Sequence, residues 1–176
     1  MSTLTDLEKR TQVNVLVAFV DLSLYTQMCL KMDDSEVASW IDRFFERLTQ
    51  IIESKQGLIV KFIGDGALIV FEENLAEQGI LSLLKAKNEI DAWLQSEGYP
   101  CRLEVKIHFG PAIAGPFGGK AKKSFDVIGK TINAAARLQQ KPFCVSAEAF
   151  QQLSPEGRKY FKEHAPPIVY IPNEHR

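Results

Sequence analysis

Two aspartates stand where apolar runs stop. Asp21 closes the run Val13 to Val20, and Asp65 sits in Gly64-Asp65-Gly66, between Leu58 to Ile63 and Ala67 to Phe71. A carboxylate at a strand end is fixed at the rim of a core yet still reaches water. Hard oxygen donors in that setting suit divalent cations, and two of them on neighbouring strands could share such ions in a phosphoryl-transfer centre. The stretch Leu22 to Thr26, with hydroxyls on Ser23 and Thr26, could turn backbone amides toward phosphate oxygens. Gly-Asp-Gly is equally what a tight turn needs for structural reasons alone, so Asp65 by itself leaves both readings open.

Four further residues carry chemistry. Lys61 interrupts an otherwise apolar strand four residues before Asp65, either as an edge lysine reaching into water or as a ligand-facing cation. Asp126, in Phe125-Asp126-Val127-Ile128-Gly129, is either a solvated strand-end acid or an acceptor in a site. Asn133 and Arg137 are four apart in a predicted helix and so share a face, where an amide and a guanidinium can meet one ligand or simply remain solvated.

The elements that must position these residues follow from periodicity. Strand Val13 to Asp21 comes first. Asp33-Asp34-Ser35-Glu36 then caps an amphipathic helix whose apolar positions run from Val37 through Trp40, Phe44 and Leu48 to Ile52, ending before Gly57. Leu58 to Ile63 and Ala67 to Phe71 form a hairpin across a turn centred on Asp65-Gly66. A second helix carries Ile80, Leu83, Leu84, Ile90, Trp93 and Leu94 on one stripe and ends near Gly98. Leu103 to Phe109 reads as a strand with Ile113 to Phe117 as its neighbour, followed by a basic loop at Lys120 to Lys123 and an extended piece at Ser124 to Ile128. Helices are predicted at Thr131 to Gln140 and Ala147 to Leu153, with strands at Phe143 to Val145 and Ile168 to Ile171. This order predicts an α+β fold, a ferredoxin-like palm with a mostly antiparallel sheet covered by helices on one face.

The 176 residues, 45% of them hydrophobic, fit one domain with a short leader over residues 1–12, leaving no room within these residues for a fused sensor domain. A formal net charge of -1 gives no basic field for nonspecific binding to nucleic acid. Cys29, Cys101 and Cys144 are odd in number and lack metal-ligand spacing, which predicts reduced thiols and a cytoplasmic location. No apolar stretch is long enough for direct membrane insertion.

In combination these segments resemble a known family. Phe19-Val20-Asp21-Leu22-Ser23-Leu24-Tyr25-Thr26, Lys61-Phe62-Ile63-Gly64-Asp65, His108-Phe109-Gly110-Pro111-Ala112-Ile113-Ala114-Gly115 and Phe125-Asp126-Val127-Ile128-Gly129-Lys130-Thr131-Ile132-Asn133-Ala134-Ala135-Ala136-Arg137 look like the successive motifs of the class III adenylate/guanylate cyclase catalytic domain, in the family's order. The resemblance implies conversion of ATP to 3′,5′-cyclic AMP and pyrophosphate with two Mg²⁺ or Mn²⁺ ions per site. It implies metal ligation by Asp21, Asp65 and the Leu22 carbonyl, and phosphate contacts from amides near Tyr25 and Thr26. By the same resemblance Lys61 and Asp126 read the base, Asn133 orients the ribose and Arg137 stabilises charge at the α-phosphate. The family builds each site from two subunits, so a homodimer with two shared sites is implied; the sequence does not name the activating signal, and control is expected from bicarbonate, ions, a regulatory protein or a domain in a longer chain.

Leu24 stands where the first motif usually has glycine. Lys162-Glu163-His164-Ala165-Pro166-Pro167 does not reproduce the family's triphosphate-binding Lys-Gly element. Those departures keep in view a nucleotide-binding or dimerising regulatory module with little turnover, and the fold and metal acids alone would also fit a palm-type nucleotidyltransferase making another phosphodiester.

Overall fold

The structure is a computed structural model that describes residues 3–138, 141–164 and 168–174. Its centre is β1 (Thr11–Leu22), paired antiparallel along one edge with β3 (Gly66–Glu72) and along the other with β4 (Leu103–Gly118). Alternation sorts β1 into two faces. Leu16, Ala18, Val20 and Leu22 pack with α2 (Asp34–Glu53) and α3 (Ala76–Ser96), through Trp40, Phe44, Leu48, Ile80, Leu83 and Leu94. Val15, Val17 and Phe19 point the other way, and Asp21 shares their parity. Among the described residues the sheet order is β2 (Leu58–Ile63), β3, β1, β4, β6 (Phe143–Val145), β8 (Val169–Pro172) and β7 (Phe161–His164), with β5 (Lys123–Ile128) also paired to β4.

The α+β sheet flanked by helices is present, but the helices do not all lie on one face. On the Val15, Val17 and Phe19 side a second apolar cluster takes in Leu68, Val127, Ala135 and Ile132, the last two from α4 (Lys130–Ala136). The sequence pattern could not assign α4 to a face, because seven residues make too short a helix for a periodicity to be read. β5 folds over the same side, and its Asp126 reaches Lys61 of β2 from across the sheet.

Other boundaries differ for physical reasons. Leu103 to Phe109 and Ile113 to Phe117 are one strand rather than two neighbours. β1 supplies a partner without a break from Leu22↔Leu103 to Thr11↔Ala114, which holds the chain extended through Gly110-Pro111. Thr131 Oγ1 donates to the Pro111 carbonyl (2.6 Å), and Gly110 has no Cβ to obstruct it. The predicted helix Thr131 to Gln140 ends at Ala136, and residues 139–140 lie outside the described ones. Beyond β6, α5 (Ala147–Phe150) is shorter than predicted, and α6 (Pro155–Arg158) and β7 were not anticipated. A five-residue helix, α1 (Tyr25–Cys29), follows β1 where the sequence suggested only a turn.

Several polar contacts pin the strands that carry the site. Asp33 accepts from the Ser35 and Glu36 amides while the Glu36 carboxylate accepts from Asp33 N, a capping box worth on the order of 1 kcal/mol. Lys87 of α3 is buried and donates to Asp91 Oδ2 and to the Leu103 carbonyl, both at 2.8 Å, while Asp91 Oδ1 accepts from Leu103 N at 2.7 Å. The pair therefore satisfies both backbone groups at the start of β4. Breaking it from one side would cost about 3–5 kcal/mol, because a buried charge would be left alone. At the other edge of the same corner, Ser23 N donates to the Arg102 carbonyl (2.9 Å) and Arg102 N to Ser23 Oγ (3.1 Å).

Candidate active site

Asp65 rides on a two-residue hairpin loop. Ile63 pairs with Gly66, so Gly64 and Asp65 form the loop and Gly66 already belongs to β3, one residue away from the turn centre predicted. Gly64 takes φ 61° and Asp65 has no positive φ, the II′ pattern in which glycine leads. A Cβ on Gly66 would overlap the Val20 carbonyl oxygen and lie 3.2 Å from Asp21 Cβ. This absence of a side chain lets the hairpin tip close onto the end of β1. Asp65 Oδ2 accepts from Leu22 N (3.2 Å), which orients its carboxylate beside Asp21.

The two acids sense one another. Asp21 keeps accessible surface, but neighbouring strands withdraw enough water to push its carboxyl above the usual aspartate range; Lys106 pulls it down and Asp65 pushes it up. A carboxylate whose charging is opposed by burial and by a neighbouring acid fits a divalent cation, which offsets both. Among the described residues no group of three or more His, Cys, Asp or Glu could enclose a metal. A pair of carboxylates is the sparse donor set that suits an ion keeping other oxygen ligands, such as water and phosphate.

Two neighbours of this pair were missed in the sequence. Glu104 stands opposite Asp21 in the β1–β4 register and Lys106 opposite Phe19, so both share Asp21's face. Burial raises the Glu104 carboxyl, Asp21 adds to that, and Lys106 and Lys87 oppose it. The signal was the alternation Glu104, Lys106, His108 against Val105 and Ile107. It gains meaning only once β4 is known to lie beside β1. His108 is occupied structurally, with Nδ1 2.8 Å from Ser146 Oγ.

Lys61 is not a free edge lysine. Its Nζ lies 2.6 Å from Asp126 Oδ2, while Asp126 Oδ1 accepts from Val127 N (2.8 Å). Together with Asn133 they line a cleft of about 360 Å³ whose apolar walls include Phe19, Ile63, Leu68 and Ile132. That volume falls within the range of about 300–1,000 Å³ found for small-molecule sites. Asp21 and Lys106 line a separate, adjoining cleft of about 190 Å³ with Gly66, Ala67 and Ala136; Phe19 and Ile63 border both. Arg137 is the C-terminal cap of α4 rather than an interior helix residue, and its exposed guanidinium donates through Nε to the Asn133 carbonyl (3.2 Å). A concavity of about 710 Å³ between α2 and α3 contains none of the predicted site residues.

The turn after β1 survives without its glycine. Leu24 adopts φ 60°, ψ 10°, the left-handed conformation, and its carbonyl accepts the first bond of α1 from Met28 N (3.0 Å). The amides of Tyr25 and Thr26 lie ahead of that bond. Tyr25's ring stacks on Trp40 with centroids 6.1 Å apart, and burial plus a hydrogen bond to Cys29 push its phenol up to about 12. Its side chain is therefore structural, leaving only its backbone for a ligand. Lys162 donates to the Asn173 carbonyl (3.1 Å) within the terminal hairpin; Ala165, Pro166 and Pro167 lie outside the described residues.

Residues 7–163 match the family model of the adenylate and guanylate cyclase catalytic domain. The chain belongs to this family. An uncharacterized protein of Mycobacterium tuberculosis is 32% identical over 127 residues, which are 71% of this chain and 22% of that protein. The cyclase domain described here thus spans between about a fifth and somewhat over a quarter of the length of the curated relatives it matches. A bacterial light-regulated adenylyl cyclase superposes with a TM-score of 0.84 at 22% identity, over 98% of this chain and 55% of that one. The guanylate cyclase domain of RhGC from Catenaria anguillulae, in complex with GTP, superposes with a TM-score of 0.79 at 16% identity, over 94% of this chain and 100% of that one. Both likenesses concern the fold, and solved neighbours of both nucleotide types share it. Among the described residues no helix is long and apolar enough to cross a membrane.

Proposed function

We propose that this cyclase domain converts ATP to 3′,5′-cyclic AMP and pyrophosphate at sites shared between two copies of the chain. The observation that carries the choice of ATP is the Lys61–Asp126 pair at 2.6 Å in the wall of the Asn133 cleft. An ammonium has three donors and a carboxylate only acceptors, so the pair can hold itself and still meet a base. Adenine offers an acceptor at N1 and a donor at its N6 amino group, which match Lys61 and Asp126. Guanine presents a donor at N1 and a carbonyl, which reverses both demands.

In the reaction the ribose 3′-oxygen forms a bond to the α-phosphorus while the bond to the β-phosphate breaks. Pyrophosphate leaves and the hydroxyl proton passes to solvent. Mg²⁺ or Mn²⁺, two per site, held by Asp21, Asp65 and the Leu22 carbonyl, would supply the positive charge that acidifies the hydroxyl and shields the phosphates. Asn133 would fix the ribose. Arg137 would meet charge building at the α-phosphate, an interaction that raises turnover more than ground-state affinity. The backbone amides of Tyr25 and Thr26 would face phosphate oxygens.

The test is to incubate the purified protein with ATP or GTP and either metal and to identify the product by mass. Cyclic AMP from ATP, with GTP a poorer substrate, is the expected result, and Lys61→Glu with Asp126→Cys should move preference toward GTP. No cyclic nucleotide under either metal from a folded dimer would leave a binding module in place of an enzyme. Another phosphodiester product would identify a nucleotidyltransferase.

A further inference from the structure

Lys106 is the charged residue of the metal-side cleft to which the reaction above gives no role. It is half-buried on β4, faces the same side as Asp21 and Glu104, and lines the cleft of about 190 Å³ together with Asp21, Gly66 and Ala136. Among the described residues no carboxylate comes within 4.0 Å of its ammonium. Its charge nevertheless acts on Asp21, Glu104 and Cys144, lowering each from the value burial would impose. A lysine drawn partly out of water, with only longer-range attraction to its acidic neighbours, makes no close contact in the protein alone to replace the lost hydration. The cost is offset if the occupant of the cleft brings anionic oxygens of its own.

We propose that Lys106 is a polyphosphate-binding residue, its ammonium donating to a non-bridging oxygen of the nucleotide's triphosphate where that group lies beside Asp21 and Asp65. The inference rests on the cyclase reading and adds a residue to it. Three carboxylates, Asp21, Asp65 and Glu104, gather at this end of the sheet, and a triphosphate approaching them needs cationic help beyond the metal. Lys162, in the segment that lacks the family's Lys-Gly element, is engaged with the Asn173 carbonyl in the terminal hairpin. Lys106 meets the need from inside the cleft. Its four-carbon stem gives the ammonium reach within the cleft, which it lines together with the small residues Gly66 and Ala67.

A residue that merely neutralises the acids makes the opposite prediction. Removing a cation beside metal-binding carboxylates strengthens metal binding, and with it metal-dependent phosphate binding, whereas removing a phosphate contact weakens the latter. Inorganic triphosphate is the suitable probe, since it has neither base nor ribose and reports on the phosphate cleft alone. Calorimetry would measure Mn²⁺ alone, then inorganic triphosphate in the presence of Mn²⁺, for the wild type, Lys106→Met and Lys106→Arg. Loss of a charge-assisted hydrogen bond should weaken triphosphate binding about tenfold or more in Lys106→Met. Mn²⁺ affinity should be unchanged or tighter, and Lys106→Arg should retain triphosphate because the charge is kept. If Lys106→Met fails to fold, Lys106→Gln carries the same comparison. Equal or tighter triphosphate binding without the lysine overturns the inference and leaves the cyclase reading standing. A wild type that binds no triphosphate in the presence of Mn²⁺ overturns both.

Discussion

Asp21 is an acid whose surroundings oppose its charge in the protein alone. Its carboxyl is raised first by burial and then by Asp65, so in the metal-free protein it charges at some expense. The sign of the pH dependence follows: the stability associated with the neutral carboxyl is fully present below the ordinary aspartate value of 3.8 and is lost as pH rises through the higher folded value. Asp21→Asn should therefore raise the melting temperature in EDTA at neutral pH, and the gain should vanish below pH 3.8. The same variant should lose Mn²⁺ binding, and cyclase activity should fall about a hundredfold or more. Melting curves against pH with and without Mn²⁺ check both halves, and an unchanged metal-induced shift would remove Asp21 from the ligand set. The two acids were legible as residues because each ends an apolar run. The partnership of Lys61 with Asp126 was not, since it joins β2 to β5 over 65 positions of sequence. Glu104 and Lys106 escaped notice because polar alternation names a face only after the neighbouring strand is known.

At the scale of elements, the turn between β1 and α1 concentrates both local strain and the amides proposed for phosphate. A left-handed leucine costs roughly 1–2 kcal/mol relative to an unstrained residue. Glycine would release that strain but gives back about 0.5–1 kcal/mol through the entropy of the unfolded chain. Leu24 is 48% exposed, so little burial is lost with its side chain. Leu24→Gly should then stabilise the domain by about 0.5 kcal/mol, while Leu24→Ala, which keeps the strain, should not. Urea denaturation of the three proteins decides it, and Leu24→Ala outlasting Leu24→Gly would show that the left-handed turn carries no strain. The long elements were legible for reasons that also explain the errors. The α2 stripe from Trp40 to Ile52 and its capping box leave one reading, and the structure has it. Where elements are short, as in α1, α6 and β7, tertiary contact rather than periodicity decides, and a sequence read in isolation carries no record of that contact. β4 is the converse case: Gly110-Pro111 looks like punctuation, and β1 overrides it by holding the strand extended across both residues.

The whole molecule divides its chemistry between two adjoining clefts. Asp21 lines one, Lys61, Asp126 and Asn133 line the other, and Phe19 and Ile63 stand between as a common wall. Large apolar side chains remain exposed at this end of the sheet, with Ile63 of the wall itself at 51% and Ile128, which lines the Lys61 cleft, at 48%. On the proposed reading such a surface suits a second copy of the chain, whose Lys61–Asp126 cleft would face the first copy's acids. On this reading a substitution in either cleft disables both sites of a homodimer, yet the two kinds of damage are separable. Asp65→Ala and the double variant Asn133→Ala, Arg137→Ala should each be inactive alone. Mixed in equal amounts and allowed to exchange subunits, half of the dimers become heterodimers. Each heterodimer pairs one intact acid half with one intact base half, so about a quarter of wild-type sites should return. Recovery of cyclic AMP formation to that level, lost again on dilution below the dimer's dissociation constant, would establish that the acids of one chain act on a nucleotide held by the other. If exchange is confirmed by mass and no activity returns, the two clefts must serve a site within one chain. Phe19 and Ile63 would then have to move aside to join the clefts.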